Sequence, residues 1–167
     1  MTISIRICCG VILAGLYASA GLGQTPAGNL LKSGDFQSLP PWQANEHLRK
    51  NGQVTVLPAE QGVMIHNPAI DLDGSLYQDV PTDGHTSFAW SAQIKGGGWS
   101  MMRASLALVA LDAEGGTLAI EAPTRVQGSG WRTYNGVVHV PSATKTLRVV
   151  LSVLDGRCAF AKLELRK

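Results

Sequence analysis

In TSFAWSAQIKG, residues 86–96, the apolar side chains Phe88, Trp90, Ala92 and Ile94 take one set of alternate positions, and Ala89, Ser91, Gln93 and Lys95 take the other. A period of two places the first set on one face of a strand and the second on the opposite face. KTLRVVLSVL (145–154) repeats the pattern with Leu147, Val149, Leu151 and Val153. RASLALVALD (103–112) is apolar at both parities, as in a central strand covered on both sides or lining a groove. Gly, Pro and Asp clusters separate these runs: DLDG at 71–74, PTDG at 81–84, GGG at 96–98, DAEGG at 112–116, QGSG at 127–130, PSAT at 141–144 and LDG at 154–156. Strands at this spacing, with no room for crossover helices, predict an all-β sandwich of about nine or ten strands. The one helical turn expected is near WQANEHLRK, residues 42–50.

The first 23 residues have a different character. Arg6 precedes an uncharged apolar run from Ile7 to about Leu16, and Ala18-Ser19-Ala20 supplies small residues for cleavage. This is the pattern of a signal peptide, so the chain is expected to be secreted or periplasmic, with QTPAG (24–28) a short lead-in and 29–167 a single domain. The second half of the leader is mostly Ala, Ser and Gly, which disfavours a membrane span. Cleavage removes Cys8 and Cys9 and leaves Cys158, in the alternating run RCAFAKLEL, as a buried and inert thiol. The net charge of +2 has no clustered block behind it, which gives no reason to expect a nucleic-acid partner.

Three stretches together resemble the jelly-roll carbohydrate-binding modules, a subset of the galactose-binding-like β-sandwiches. NLLKSGDFQ with the following Trp42 is similar to their opening strand. LYQDVPTDGHTSFAWSAQIKGGG is similar to their paired strands, with Gln78 and Val80 in the Q-x-V element and Phe88 where Tyr is common. GWRTYNGVVHVPSATKTLRVVLSVLDGRCAFAKLEL resembles their last three strands, with Trp131 opening the first and Pro141 ending it. The resemblance implies a jelly-roll β-sandwich of two antiparallel sheets over nearly all of 29–167. It implies that the first strand lies near the last, which makes Leu30, Leu31 and Phe36 core residues, and that Trp131 packs structurally. Many members hold a structural Ca²⁺ through an acidic pair in the last strand. Ala161 and Lys162 stand there instead, and a Lys ammonium opposes the binding of a cation that needs six to eight oxygens. Structural calcium is therefore disfavoured, and no cofactor is expected.

Sugar rings stack on exposed aromatics, and amides, guanidinium groups and carboxylates bind their hydroxyls. Trp90 falls on the apolar parity of its strand, and Trp42 is expected to cap one end of the sandwich behind Pro40-Pro41. Trp99, after three glycines, is the leading ligand platform. Tyr77 and Tyr134 are further ring candidates, and Gln93, Lys95 and Arg103 are expected on an outward sheet face. No catalytic arrangement is legible. His47, His66, His85 and His139 lack metal-ligand spacing, no serine sits in a G-x-S-x-G elbow, and DLDG at 71–74 lacks the Glu that closes a calcium loop. The expectation is an exported, noncatalytic glycan-binding protein. The alternative is an envelope protein–protein interaction or scaffolding module, for which Val109 and Leu111 on the second face of their strand would form an apolar patch.

Overall fold

A computed structural model describes residues 28–69, 71–96, 104–121 and 129–167. The leader and most of the lead-in lie outside the described residues, as do Trp99 and Arg103. The elements are β1 (Gln43–Ala44), α1 (Glu46–Asn51), β2 (Gln53–Leu57), a 3-10 turn (Pro58–Glu60), β3 (Gly62–Asn67), β4 (Gly74–Pro81), β5 (Ser87–Gly96), β6 (Ala104–Leu111), β7 (Thr117–Glu121), β8 (Trp131–His139), β9 (Thr146–Val153) and β10 (Gly156–Arg166). They form two five-stranded antiparallel sheets. The first has the order β1-β4-β9-β6-β7 and the second β2-β3-β10-β5-β8. The chain crosses repeatedly between the two sheets, as a jelly-roll sandwich requires.

The period-two reading holds in detail. Phe88, Trp90, Ala92 and Ile94 are buried from the second sheet, and Leu147, Val149, Leu151 and Val153 from the first. With Leu106, Leu108, Ile65, Phe160, Leu163 and Leu165 they make one continuous core between the sheets. β6 is inward-facing at Leu106, Leu108 and Ala110, but its outward parity ends early. The ladder to β7 shifts register between Ala110 and Leu111, and Leu111 is buried. A bulge puts two residues against one and re-aims the side chains beyond it. The expected pairing of Val109 with Leu111 on one exposed face is therefore corrected: Val109 faces outward and Leu111 does not.

In the opening stretch Leu31 and Phe36 are buried as expected and Leu30 is half-buried against the core, but the stretch is not a strand. Residues 31–35 form turns, with Ser33 and Phe36 in the left-handed region at φ 52°. Its attachment to β10 is made partly by a side chain. The Asn29 amide donates through Nδ2 to the Leu163 carbonyl at 2.8 Å, and its Oδ1 accepts from the Leu165 amide at 3.0 Å and the Leu31 amide at 3.1 Å. Leu30 N–H donates to Leu165 O and Leu163 N–H donates to Gly34 O. β10 needs this partner because its ladder to β3 ends at Ala161, and its ladder to β5 breaks between Ala161 and Glu164, around Lys162 at φ 49°. Beyond the bulge the opening segment takes the place of β3. Gly34 is required there, since an added Cβ would collide with the Leu163 carbonyl oxygen.

Gln78 fastens the same segment to the other sheet. Its Oε1 accepts from Lys32 N–H and its Nε2 donates to Lys32 O, both at 2.8 Å, so a buried side chain copies a strand's hydrogen bonding. Phe36, fully buried, stacks on Trp42 with ring centroids 5.2 Å apart, and the indole N–H of Trp42 donates to Ser33 O. This is the expected cap behind Pro40-Pro41, whose peptide bond is cis. The short helix α1 starts at Asn45, whose Oδ1 accepts from Leu48 N–H, and buries Leu48.

Candidate functional site

Among the described residues, those singled out in the sequence do not share one place. Tyr77 lies on the outer face of the first sheet. Gln93 and Lys95 lie on the outer face of the second, as their parity predicts. Tyr134 pairs with Ala92, an inward position, and is half-buried against the core. The ring expected to be available for ligand is thus partly spent on packing. Cys158 is buried as expected, and burial pushes its thiol up to about 12. The native protein is therefore expected to resist iodoacetamide at pH 8 and to take up one equivalent at Cys158 once unfolded in guanidinium. Full labelling of the native chain within minutes would contradict this burial.

On the outer face of the first sheet, strand pairing assembles a cluster around Tyr77. β4 turns Leu76, Gln78 and Val80 inward and Tyr77 and Asp79 outward. The register with β9 places Asp79 opposite Arg148 and Tyr77 opposite Val150, and the register with β1 places Gln43 opposite Tyr77. Arg148 binds Asp79 through two hydrogen bonds, Nε to Oδ1 at 2.7 Å and Nη2 to Oδ2 at 2.8 Å. Its guanidinium carbon lies 4.5 Å from the centre of the Tyr77 ring, and the Tyr77 hydroxyl donates to Gln43 Oε1 at 2.9 Å. The Asp79 hydrogen bonds raise the Arg148 pKa further above its usual range, so the guanidinium stays charged. A part-exposed ion pair adds little to stability, about 0–1 kcal/mol. What the arrangement supplies is fixed geometry: carboxylate lone pairs, guanidinium N–H groups and an amide held in line on a rigid sheet.

Beside this cluster, Lys32, Pro41, Gln43, Gln78, Asp79 and Pro81 are among the residues lining a cavity of about 260 Å³. Across the same face in the other direction the surface turns apolar. Val150 is followed by Ala107 on β6, and Arg148 by Val109 and then Ile120 on β7, which is 63% exposed. The outer face of the first sheet thus joins a polar, hydroxyl-matching end to an apolar strip. Asp79 and Arg148 were not singled out in the sequence, although both stand at outward parity in their runs. Their meeting depends on β4 pairing with β9, which no local pattern announces.

The outer face of the second sheet carries a groove of about 250 Å³, lined by Leu57, Glu60, Met64, Lys95, Trp131 and Arg157 among others. Trp131 is half-buried there, opposite Lys95 in the ladder, with Lys95 Nζ 6.0 Å from the ring centre. The packing role implied for Trp131 is therefore only part of its placement, since the ring also forms a groove wall. Among the described residues no group of three or more His, Cys, Asp or Glu side chains could hold a metal ion, and no helix is long and apolar enough to cross a membrane. His47 is engaged structurally, with Nε2 donating to Asn67 Oδ1 at 3.1 Å and Nδ1 accepting from Asn51.

The architecture is that of the jelly-roll carbohydrate-binding modules. A xylan-binding domain of family 22 superposes with a TM-score of 0.62 at 11% identity, over 85% of this chain and 96% of that one. A family 16 carbohydrate-binding module superposes with a TM-score of 0.61 at 15% identity, over 83% and 100%. The enzymatically active domain of tailspike protein 4 of bacteriophage CBA120 gives a TM-score of 0.66 at 15% identity, but this chain covers only 22% of its length. At these identities the likeness establishes the fold. No family model and no curated protein matches the sequence.

Proposed function

We propose that this is an exported, noncatalytic protein that binds a glycan on the outer face of its first sheet. The observation that carries this reading is the cluster of Tyr77, Arg148, Asp79 and Gln43 beside the 260 Å³ cavity. Sugar hydroxyls both donate and accept. Asp79 offers them acceptor oxygens, Arg148 and Gln43 offer donors, and Tyr77, Val150 and Val109 offer apolar surface to the C–H faces of the rings. The naming of fold relatives as carbohydrate-binding and xylan-binding modules supports the same ligand class. The leader around Arg6 supports export to the periplasm or the exterior, and affinity comes from contacts alone with no covalent step.

Titration calorimetry with xylo-, cello- and galacto-oligosaccharides, followed by a wider plant, algal and bacterial glycan panel, tests the proposal. Arg148→Ala is expected to weaken the tightest ligand by about tenfold to a hundredfold, the range for a charge-assisted hydrogen bond removed from a site. It should leave the melting midpoint nearly unchanged, because the ion pair is part-exposed. Equal affinity of the variant and the parent would overturn the placement. A second reading, a protein partner in the envelope, draws on the exposed Ile120 and Leu118 along the edge strand β7. Under that reading the chain binds no glycan in the panel, and light scattering or cross-linking finds a partner lost in Ile120→Lys.

A further inference from the structure

The groove on the second sheet is built differently from the cluster on the first, and its chemistry selects a different ligand. Its floor is made of small residues. Ala159 pairs with Met64 on one side and Lys95 on the other, and Lys95 pairs with Trp131, so one row of side chains crosses four strands. At ordinary strand spacing that row is about 14 Å wide. Gly96 and Cys158 line the groove beside Ala159. Met64, Leu57 and Glu60 wall one side, and Lys95 and Trp131 the other.

Two cations share this space. Arg157 stands two residues before Ala159 on the same face of β10, and Lys95 stands directly across from Ala159. They are diagonal neighbours on one sheet face, within reach for side chains of this length. Among the described residues neither Lys95 nor Arg157 has an ion-pair partner. Lys95 only rests over the Trp131 ring at the outer limit of a cation–π contact. The folded protein thus holds two like charges on one face of the groove, one of them over an aromatic ring, with no acidic side chain at ion-pair distance from either among the described residues. Glu60, on the opposite wall, is free of ion pairs among the described residues and offers acceptor oxygens.

We infer that this groove is a second binding site and that its ligand is a sugar ring carrying a carboxylate, a uronate unit of an acidic glycan. The carboxylate would lie between Lys95 and Arg157, draw the Lys95 ammonium off the indole, and leave the Trp131 face to stack on the ring. Glu60 would accept from a hydroxyl at the far side. A neutral sugar would use the ring and Glu60 but leave both cations unmatched. This inference is independent of the site on the first sheet.

Binding of oligogalacturonate to the exported chain, measured against its methyl ester and against a sulfated neutral oligosaccharide, tests it. The acid should bind at least about tenfold tighter than the ester, and added salt should narrow the gap. Lys95→Gln and Arg157→Gln should each remove most of the preference for the acid, with an unchanged thermal melt. Trp131→Leu should weaken acid and ester by the same factor. Arg148→Ala, on the other sheet, should leave all of this intact. Equal binding of acid and ester, equal binding of the sulfated sugar, or loss of acid binding in Arg148→Ala would each overturn the inference.

Discussion

Phe36→Ala lowers the free energy of unfolding by about 3–5 kcal/mol in a denaturant melt, the range for removing a large ring from a core that cannot collapse around the space. Phe36 is fully buried, stacked on Trp42, and held at a positive φ by turns on either side, so its neighbours are fixed from several directions. The loss should appear as a lower midpoint with an unchanged slope, because the surface exposed on unfolding changes little. A loss below about 1 kcal/mol would mean that the opening segment is not part of the cooperative fold.

Asn67→Ala is expected to cost about 2–4 kcal/mol, although Asn67 contributes almost nothing hydrophobic. Its side chain is fully buried and engaged at both ends. Nδ2 donates to Leu72 O at 2.6 Å, Val153 O at 2.7 Å and Leu154 O at 3.3 Å, while Oδ1 accepts from Ala69 N–H and from His47. One amide therefore joins the end of β3, the connection into β4, the end of β9 and helix α1. Truncation leaves several backbone carbonyls short of a donor, and the one on Val153 is buried where water cannot replace it. Asn67→Asp should be at least as damaging, since a carboxylate cannot donate to those carbonyls. A variant within about 0.5 kcal/mol of the parent would contradict the role of this hub.

The strands were legible because burial follows parity. Phe88 through Ile94 alternate without exception, Leu147 through Val153 do so except at the buried Ser152, and the turn clusters mark where the described strands end. What parity could not convey is pairing between distant runs. Asp79 and Arg148 are 69 positions apart, and only the β4–β9 register makes them a bidentate pair. The irregular devices were hidden for a different reason. Asn29 and Gln78 act as pieces of strand through their side-chain amides, and neither residue type carries a local signal for that duty. In β8 the pattern itself misleads: Val137 is exposed and Val138 buried, and Tyr134 is turned toward the core by its pairing with Ala92. Trp131 resembles a packing position by sequence, yet sits on an edge strand where one side of its environment is open groove.

These features give the molecule two outer faces with separate chemistries on one closed scaffold. The opening segment and β10 fasten the ends of the sandwich, and the sheets hold the polar side chains in fixed rows. Such rigidity limits the ordering cost when a ligand binds. A glycan is proposed to lie across the first sheet. Amide chemical-shift mapping of the labelled protein with its tightest neutral oligosaccharide addresses that claim most directly. The largest shifts are expected on β1, β4 and β9, centred on Gln43, Tyr77, Asp79 and Arg148, with at most smaller shifts around the groove of the second sheet. Shifts confined to another surface, or no shift with any glycan in the panel, would contradict it.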